Sequence, residues 1–268
     1  ISWERTISKI NITIIDSTEN SYTLQAVYDT PNAIRSGSDS ISRELTSRIS
    51  RTFGNDTVIV ETNELGTIKR LVNFDQLRSR YLKAAEMTAE ALCAQQGSEA
   101  QKDSLFRFLK STLYKQMGDT TVIVSTALEE LSLLLYYHGC KMDFDEEYQI
   151  EENFPSLVGG APCKGMRTFW IEEVDPENGS FRIASDAIVN TDQAIRQFIE
   201  LIQSNLPEED RRKPIDSSQI PIIMAQDQND TYIHADTGWP LVVYYTRTTQ
   251  VGENKSGQEI SLEINIPE

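Results

Sequence analysis

The sequence predicts an α+β fold: a curved, mainly antiparallel β-sheet of about nine or ten strands with a central helical segment packed on one face. In the stretch from Asp230 to Thr248, two runs of β-branched and aromatic residues flank a turn that contains Gly238. A partial copy of this pattern runs from Asp56 to Val72, with its turn at Gly66. Apolar residues with helical spacing lie between the two hairpins. Because both hairpins carry an Asn-Asp-Thr triplet, the pattern also suggests an internal duplication.

The N-terminal region, residues 1–72, is predicted to open with a hairpin. Apolar and polar residues alternate from Ile10 to Ile14 and again from Tyr22 to Tyr28, as in strands with one buried face. Pro31 to Gly37 is predicted to be a loop, because proline and glycine interrupt regular structure. A short helix should follow, with an apolar stripe at four-residue spacing made of Ile41, Leu45 and Ile49.

Residues 73–140 form the predicted helical segment, with three helices in succession. The first ends at a break from Gln95 to Gly97, the second ends at Gly118, and the third is capped by Asp119 and ends at Gly139. Because predicted strands bracket this segment, we expect it to pack on the sheet rather than to form a domain of its own. The sequence therefore predicts a single α+β domain over residues 1–268.

The C-terminal region, residues 141–268, is predicted to return to strands. Lys141 to Gly165 is rich in acidic residues, glycine and proline, so we expect an irregular loop there. Strands are expected from Thr168 to Val174 and from Ser180 to Val189, because the sequence from Asp175 to Gly179 between them is typical of a tight turn. These two strands form another predicted hairpin, the third of four along the chain.

A short helix and further strands complete the C-terminal region. A polar linker from Leu206 to Ser218 separates the helix from a strand at Gln219 to Ala225. The hairpin at Asp230 to Thr248 follows, and a last alternating strand runs from Gln258 to Ile266. The apolar stripe of the helix consists of Ile195, Phe198, Ile199 and Ile202.

The charge of the chain bears on its partners. With 41 acidic and 25 basic residues among 268, the formal net charge is −16. This charge repels phosphate backbones and anionic membrane surfaces, so we expect no nucleic-acid partner. No run of about 18 apolar residues is present, so no transmembrane helix is predicted. Because the chain begins at Ile1 rather than Met, we expect an upstream segment, such as a removed signal peptide or a lipid anchor.

The cysteines give no sign of a framework. Cys93, Cys140 and Cys163 are odd in number and lack the paired spacing of zinc ligands. This pattern argues against a set of disulfides and against a metal site, and it leaves open one bridge between Cys140 and Cys163. We therefore expect no metal and no other cofactor.

The triplet Asp236-Thr237-Gly238 coincides with the signature of aspartic proteases, which hold a catalytic carboxylate in such a loop. In those enzymes a small residue follows the glycine, whereas Trp239 follows here, and no second Asp-Thr-Gly is present for a catalytic pair within one chain. Aspartate and glycine also dominate ordinary hairpin turns. A turn is therefore the favoured interpretation.

Acidic residues and histidines supply no stronger signature. The acidic residues from Asp143 to Glu152 lack the spacing of a calcium loop, so a solvated loop is favoured over a cation site. The two histidines, His138 and His234, have no motif that would make them part of a triad or a metal site. His138 is predicted to lie at the end of the third helix and to interact with its dipole.

Large aromatic residues are concentrated in the last hairpin and in the strand from Thr168 to Val174. They indicate an apolar groove that a ligand, a partner chain or the acidic loop would close, although burial in a core is the commoner role of such rings. Tyr244 and Tyr245, as neighbours in one strand, must point to opposite faces. The candidate binding residues are the rings that a groove would expose: Trp170, Tyr232, Trp239 and Tyr244.

An early hairpin rich in isoleucine and tyrosine, a helical middle and a late Asp-Thr-Gly-Trp-Pro hairpin together resemble exported proteins of Bacteroidetes-type bacteria, many of which are lipoproteins. The resemblance implies export to the periplasm or cell surface and identifies no functional residue. We therefore expect a non-enzymatic exported protein that binds an apolar small molecule or a protein partner. The alternatives are a hydrolase with a concealed site and a structural component of a surface assembly.

Overall fold

A computed structural model describes residues 4–29, 32–35, 56–93, 99–154, 162–190 and 223–264, with scattered residues between 45 and 52 and between 192 and 203. The chain divides into two compact units, Ile1–Ser132 and Leu133–Glu268. Each unit is described by itself below. The single domain expected from the sequence stays a prediction.

The N-terminal unit contains six described strands: β1 (Glu4–Ile7), β2 (Ile10–Thr18), β3 (Ser21–Tyr28), β4 (Asn32–Arg35), β5 (Asp56–Asn63) and β6 (Ile68–Leu71). Four of them form an antiparallel sheet in the order β2-β3-β5-β6. The predicted hairpins at Ile10 to Tyr28 and at Asp56 to Val72 are thus confirmed. The loop predicted from Pro31 to Gly37 is wrong in part, because β4 pairs with β1. Asn32 to Arg35 reads polar, apolar, apolar, polar, so no alternation marks it as a strand.

Three helices follow: α1 (Phe74–Cys93), α2 (Glu99–Met117) and α3 (Thr120–Leu135). The predicted cap is confirmed, since the Asp119 carboxylate accepts hydrogen bonds from the backbone amides of Thr121 and Val122 at 2.8 and 3.2 Å. Helix α3 ends at Leu135 instead of Gly139, and a turn with a positive φ of 72° at Gly139 follows. No described helix is long and apolar enough to cross a membrane.

Polar contacts join the start of α1 to strand β5. The Asn73 side chain accepts a hydrogen bond from the Ile59 amide at 2.9 Å and donates one to the Thr57 carbonyl at 2.8 Å. Arg80 forms an ion pair with Asp56 at 3.2 Å. Because the Asn73 amide takes the place of a backbone partner for the first residues of β5, it fixes where β6 ends and the helix begins.

Glu130 on α3 is predicted to weaken the N-terminal unit at neutral pH. Burial raises the pKa of its carboxyl group, and the charge of Glu129 adds to this effect. A raised pKa in the folded state gives stability that is present below the unfolded value and is lost as pH rises through the folded one. We expect Glu130→Gln to unfold at higher urea concentration than the wild type at pH 7 and at the same concentration near pH 4. Glu64→Gln, in an exposed turn, should match the wild type at both; a pH-independent effect of Glu130→Gln would refute the argument.

The C-terminal unit contains a six-stranded sheet: β7 (Glu147–Phe154), β8 (Cys163–Asp175), β9 (Ser180–Val189), β10 (Ile223–His234), β11 (Pro240–Val251) and β12 (Asn254–Glu263). Its order is β12-β11-β10-β9-β8-β7, and all neighbours are antiparallel. The α+β class with antiparallel strands is confirmed. The prediction of one sheet is wrong, because the strands of the two hairpins that predicted it belong to separate sheets, neither of which closes.

Two sequence interpretations in this unit are corrected. The loop predicted from Lys141 to Gly165 contains β7, an edge strand whose inner side includes the buried Phe154. The strand predicted at Gln219 to Ala225 and the hairpin predicted at Asp230 are one continuous strand, β10, in the described part of the chain. Residues 219–222 and the linker from Leu206 to Ser218 lie outside the described residues.

The two short helices predicted from the sequence are described only in part. Leu45 and Ile49 are helical, and so are Ile195 and Ile199. The other members of the two apolar stripes lie outside the described residues: Ile41, Phe198 and Ile202. In the C-terminal unit, Ile195 packs against a buried cluster that includes Phe154, Cys163, Val189 and Ile223.

Candidate functional site

The six-stranded sheet has a buried inner face and an exposed outer face. Along β10, residues with odd numbers from Ile223 to Ile233 are buried, and the residues between them are more exposed. Tyr244 and Tyr245 on β11 point to opposite faces as predicted, since Tyr244 is 52% exposed and Tyr245 only 6%. The candidate site is a groove on the outer face.

One row of paired residues crosses the outer face. Trp170 on β8 pairs with Ala184 on β9, Ala184 pairs with Asp230 on β10, and Asp230 pairs with Tyr244 on β11. Strands lie about 4.8 Å apart, so the indole and the phenol stand on backbone positions about 14 Å apart. The small side chain of Ala184 leaves the space between them open. The row forms the floor and the two walls of a groove of about 300 Å³.

A second row supplies polar groups beside the first. Asp186 on β9 pairs with Gln228 on β10, and Gln228 pairs with Thr246 on β11. The Gln228 amide donates a hydrogen bond to the Asp186 carboxylate at 3.0 Å, which fixes the orientation of both side chains. Gln228 and Thr246 both line the groove. This side of the groove therefore presents ordered hydrogen-bonding groups.

Arg182 offsets part of the negative charge in the groove. Its guanidinium donates a hydrogen bond to Asp230 at 2.9 Å and lies 3.9 Å from Glu172 and 3.7 Å from Glu173. The indole N–H of Trp170 donates to the Glu172 carboxylate, which holds the ring in place. The acidic groups outnumber Arg182, so the groove is weakly acidic and disfavours an anionic ligand.

The structure separates the four predicted binding residues into two places. Trp170 and Tyr244 lie in the groove. Tyr232 lies next to it, with its ring edge-on to Tyr244 at a centroid distance of 6.4 Å. Trp239 lies elsewhere, against the ring of His138 at 5.2 Å. The sequence could not place Trp239, because the β10–β11 turn sets its direction.

Asp236 lies in the turn between β10 and β11, as the favoured interpretation predicted. Gly238 has a φ of 67°, a left-handed conformation that glycine adopts at little cost. His138 Nδ1 donates a hydrogen bond to the Gly238 carbonyl at 2.9 Å, so His138 stabilises this turn and its predicted position at the end of α3 is wrong. Asp236 is exposed, and among the described residues no hydrogen bond joins it to another carboxyl group.

The inner face carries a polar network that sequence reasoning missed. Asp227 is buried and accepts two hydrogen bonds from Arg247, at 2.8 and 2.6 Å, and one from the Tyr245 hydroxyl at 2.9 Å. On the other side of Ala187, Arg167 donates to Glu152 at 3.0 Å and to Ser185 at 3.2 Å. These buried charges are paired with each other across neighbouring strands. The inner face is buried, so a ligand can reach the sheet from its outer face.

Two buried tyrosines, Tyr245 on β11 and Tyr137 packed against the sheet, lie at the same inner face. Burial raises the pKa of Tyr137 to about 12. Burial and the Asp227 carboxylate together raise the pKa of Tyr245. Both phenols therefore stay protonated at neutral pH, and neither is suited to act as a base.

The cysteines and the acidic residues were the candidates for a disulfide and for a metal site. None of the three cysteines is in a disulfide, so the bridge left open between Cys140 and Cys163 is contradicted. The described residues include no group of three or more His, Cys, Asp or Glu side chains that could hold a metal ion. Part of the acidic stretch belongs to strand β7, so the predicted loop is wrong there. Glu147 and Glu151 are exposed, as expected of solvated residues, and Glu151 forms an ion pair with Lys164 at 2.8 Å.

Comparison of the chain with protein-family models, with curated proteins and with solved structures finds no match. The resemblance to exported Bacteroidetes-type proteins stays a prediction. A function for this chain is therefore argued from the groove itself.

Proposed function

We propose that the protein is a non-enzymatic binding protein whose outer-face groove holds a neutral carbohydrate. The observation that carries the proposal is the row from Trp170 to Tyr244. Two rings stand at its ends, and a small residue, Ala184, keeps the space between them open. The sequence predicts an apolar ligand. Because the groove lining contains both aromatic and polar residues, we propose a ligand with apolar faces and polar edges.

The chemistry of the lining fits sugar rings. The C–H face of a pyranose is flat and apolar, and it stacks on an indole or a phenol in the way that other apolar groups do. Its hydroxyl groups need acceptors and donors at the edge of the ring. Asp186, Gln228 and Thr246 supply such groups beside the rings, and the Asp186–Gln228 hydrogen bond orders them before the ligand arrives.

Charge argues against the other ligand classes. A fatty acid or a phosphate would bring its negative charge next to Glu172, Asp186 and Asp230. A cation would have to displace Arg182, which is hydrogen-bonded to Asp230. A neutral polyhydroxylated ligand meets neither penalty.

The proposal is tested by titrating the protein with neutral oligosaccharides. We expect a panel of gluco-, xylo-, manno- and chito-hexasaccharides to include one that binds saturably by isothermal titration calorimetry. Trp170→Ala and Tyr244→Ala should each weaken that binding about tenfold or more, since each tenfold change corresponds to about 1.4 kcal/mol. A fluorescent fatty acyl probe should show no saturable binding.

Tyr22→Ala is the matched control, because Tyr22 is an exposed tyrosine on the other sheet. It should bind as tightly as the wild type. Saturable binding that survives both groove substitutions would place the site elsewhere. A panel without any binder would reject a carbohydrate as the ligand.

The two alternatives, a hydrolase and a structural component, predict different results. A hydrolase would convert the bound oligosaccharide to shorter products, and a protease acting through Asp236 would lose peptide cleavage in Asp236→Asn. A structural component would give a stable protein complex with no saccharide bound.

The proposal also includes the location of the protein, the packing of the helical segment and the internal duplication. We place the protein in the periplasm or at the cell surface, where neutral glycans are available as ligands. The contacts of Asn73 and Arg80 with β5 support packing of the helical segment on a sheet. Positive φ values at Gly66 and Gly238 support related hairpins in an internal duplication, although β5 begins at Asp56, inside the first Asn-Asp-Thr triplet, whereas the second triplet lies in the middle of β10.

A further inference from the structure

We propose that two copies of the chain pair along the free edge of strand β2 to form a continuous antiparallel sheet. Strand β2 is an edge of the four-stranded sheet, so one side of its backbone has no neighbouring strand in that sheet. Such an edge is a template for pairing with another strand. This inference concerns the N-terminal unit and is independent of the carbohydrate proposal.

The other three edges of the two larger sheets carry the features that usually prevent pairing. Strand β6 has only four residues, two of which are Lys69 and Arg70. Strand β12 contains Lys255 and two glutamates, and β7 contains three glutamates. Short length and charge are two of the ways in which proteins block their edges. Strand β2 has nine residues, and the segment from Ile10 to Ile15 contains no charge and no proline.

Among the described residues, isoleucines on the apolar face of the sheet stay exposed at this edge. Ile12 and Ile14 pair with Ala26 and Leu24, which are buried, and therefore share their face of the sheet. Yet Ile14 is 54% exposed. Its neighbour Ile15, which lies at the bulge between Ile14 and Asp16, is 48% exposed. A strand added at the edge would extend this face and bury the isoleucines.

A second copy fits the edge better than an unrelated strand because β2 is complementary to itself. In an antiparallel pair about a two-fold axis near Ile12, Ile10 lies opposite the partner's Ile14 and Asn11 lies opposite the partner's Thr13. Apolar residues meet apolar residues, and polar residues meet polar residues.

Charge at the two ends of the strand also matches this arrangement. Lys9 precedes the strand and Asp16 lies near its end, and both are exposed. Antiparallel pairing brings Lys9 next to the partner's Asp16 and repeats the contact at the other end. Two opposite-charge pairs thus favour the antiparallel dimer, in a chain whose net charge of −16 opposes non-specific association.

The test is the mass of the protein in solution, measured by analytical ultracentrifugation. We expect the wild type to sediment as a dimer of 30.4 kDa chains. Ile14→Lys should sediment as a monomer, because a lysine on an edge strand blocks pairing. Phe144→Lys is the control: Phe144 is 55% exposed in the other unit, and this variant should stay dimeric.

Charge exchange distinguishes a direct contact from a loss of folding. Lys9→Glu and Asp16→Lys should each weaken the dimer at least severalfold, and the variant with both changes should recover it. Circular dichroism checks that each variant is folded, and Thr13→Lys replaces Ile14→Lys if the latter unfolds. A monomeric wild type overturns the proposal, including the case in which a strand of another protein occupies the edge. A dimer that persists in the folded lysine variants, or a charge exchange without recovery, overturns it as well.

Discussion

Asp227→Ala is expected to lower the free energy of unfolding of the C-terminal unit by about 3 to 5 kcal/mol, the usual cost of removing one partner from a buried ion pair. Asp227 is almost fully buried and accepts three hydrogen bonds, two from Arg247 and one from Tyr245. The substitution removes the carboxylate to which the Arg247 guanidinium and the Tyr245 hydroxyl donate these three hydrogen bonds. Urea unfolding followed by tryptophan fluorescence measures the loss.

Two controls define the cause of this loss. Asp145→Ala removes an exposed aspartate and should change the free energy of unfolding by less than about 0.5 kcal/mol. Adding Arg247→Met to Asp227→Ala should recover part of the stability, because it removes the charge that has lost its ion-pair partner Asp227. If the double variant is no more stable than Asp227→Ala, breaking the Asp227–Arg247 ion pair is not the reason for the loss.

Gly165→Ala is expected to destabilise the same unit by about 1 to 3 kcal/mol, as overpacking of a filled core does. A Cβ atom on Gly165 would lie 2.5 Å from a ring carbon of Phe154 and 2.6 Å from the carbonyl oxygen of Ile188. The ring can move, but the carbonyl belongs to the neighbouring strand β9 and is held by the ladder. Thermal unfolding should show a lower Tm for the variant.

Gly257→Ala is the matched control, since Gly257 also lies in a strand and an added Cβ would meet only the Arg247 carbonyl, at 3.5 Å. Alanine is favoured over glycine in a strand by about 0.5 to 1 kcal/mol when space allows. Gly257→Ala should therefore keep or slightly raise the Tm. Equal effects of the two substitutions would mean that crowding at Gly165 does not decide its identity.

Strands and helices whose faces differ clearly in polarity were predictable from the sequence. The hairpins at Ile10 to Tyr28 and at Asp56 to Val72, and the three helices, follow from periodicity and turn residues. β10 was predicted in two pieces, because Asp227 and Asn229 resemble loop residues. Both are buried, and Asp227 accepts hydrogen bonds from Arg247 on the neighbouring strand β11. Local sequence does not reveal that Asp227 has a partner on another strand.

The residues of the candidate site could be predicted from the sequence, but their arrangement could not. Trp170 and Tyr244 were predicted as binding residues, because exposed rings in strands are visible in the sequence. Their position in one row depends on the register of four strands, and register is set by long-range pairing. Ala184 is a featureless residue in the sequence, yet its small size opens the groove.

The strand order of the six-stranded sheet follows the chain without a crossover, and this has a kinetic consequence. Strands β7 to β9 and strands β10 to β12 are each joined to the next by short connections, so each set can form from local contacts. The one long closure brings β10 to β9, and the entropy of such a closure grows only with the logarithm of its length. The sheet can therefore assemble from two three-stranded meanders that form early and dock along β9 and β10. The groove, whose row crosses that seam, comes into existence only at the docking step.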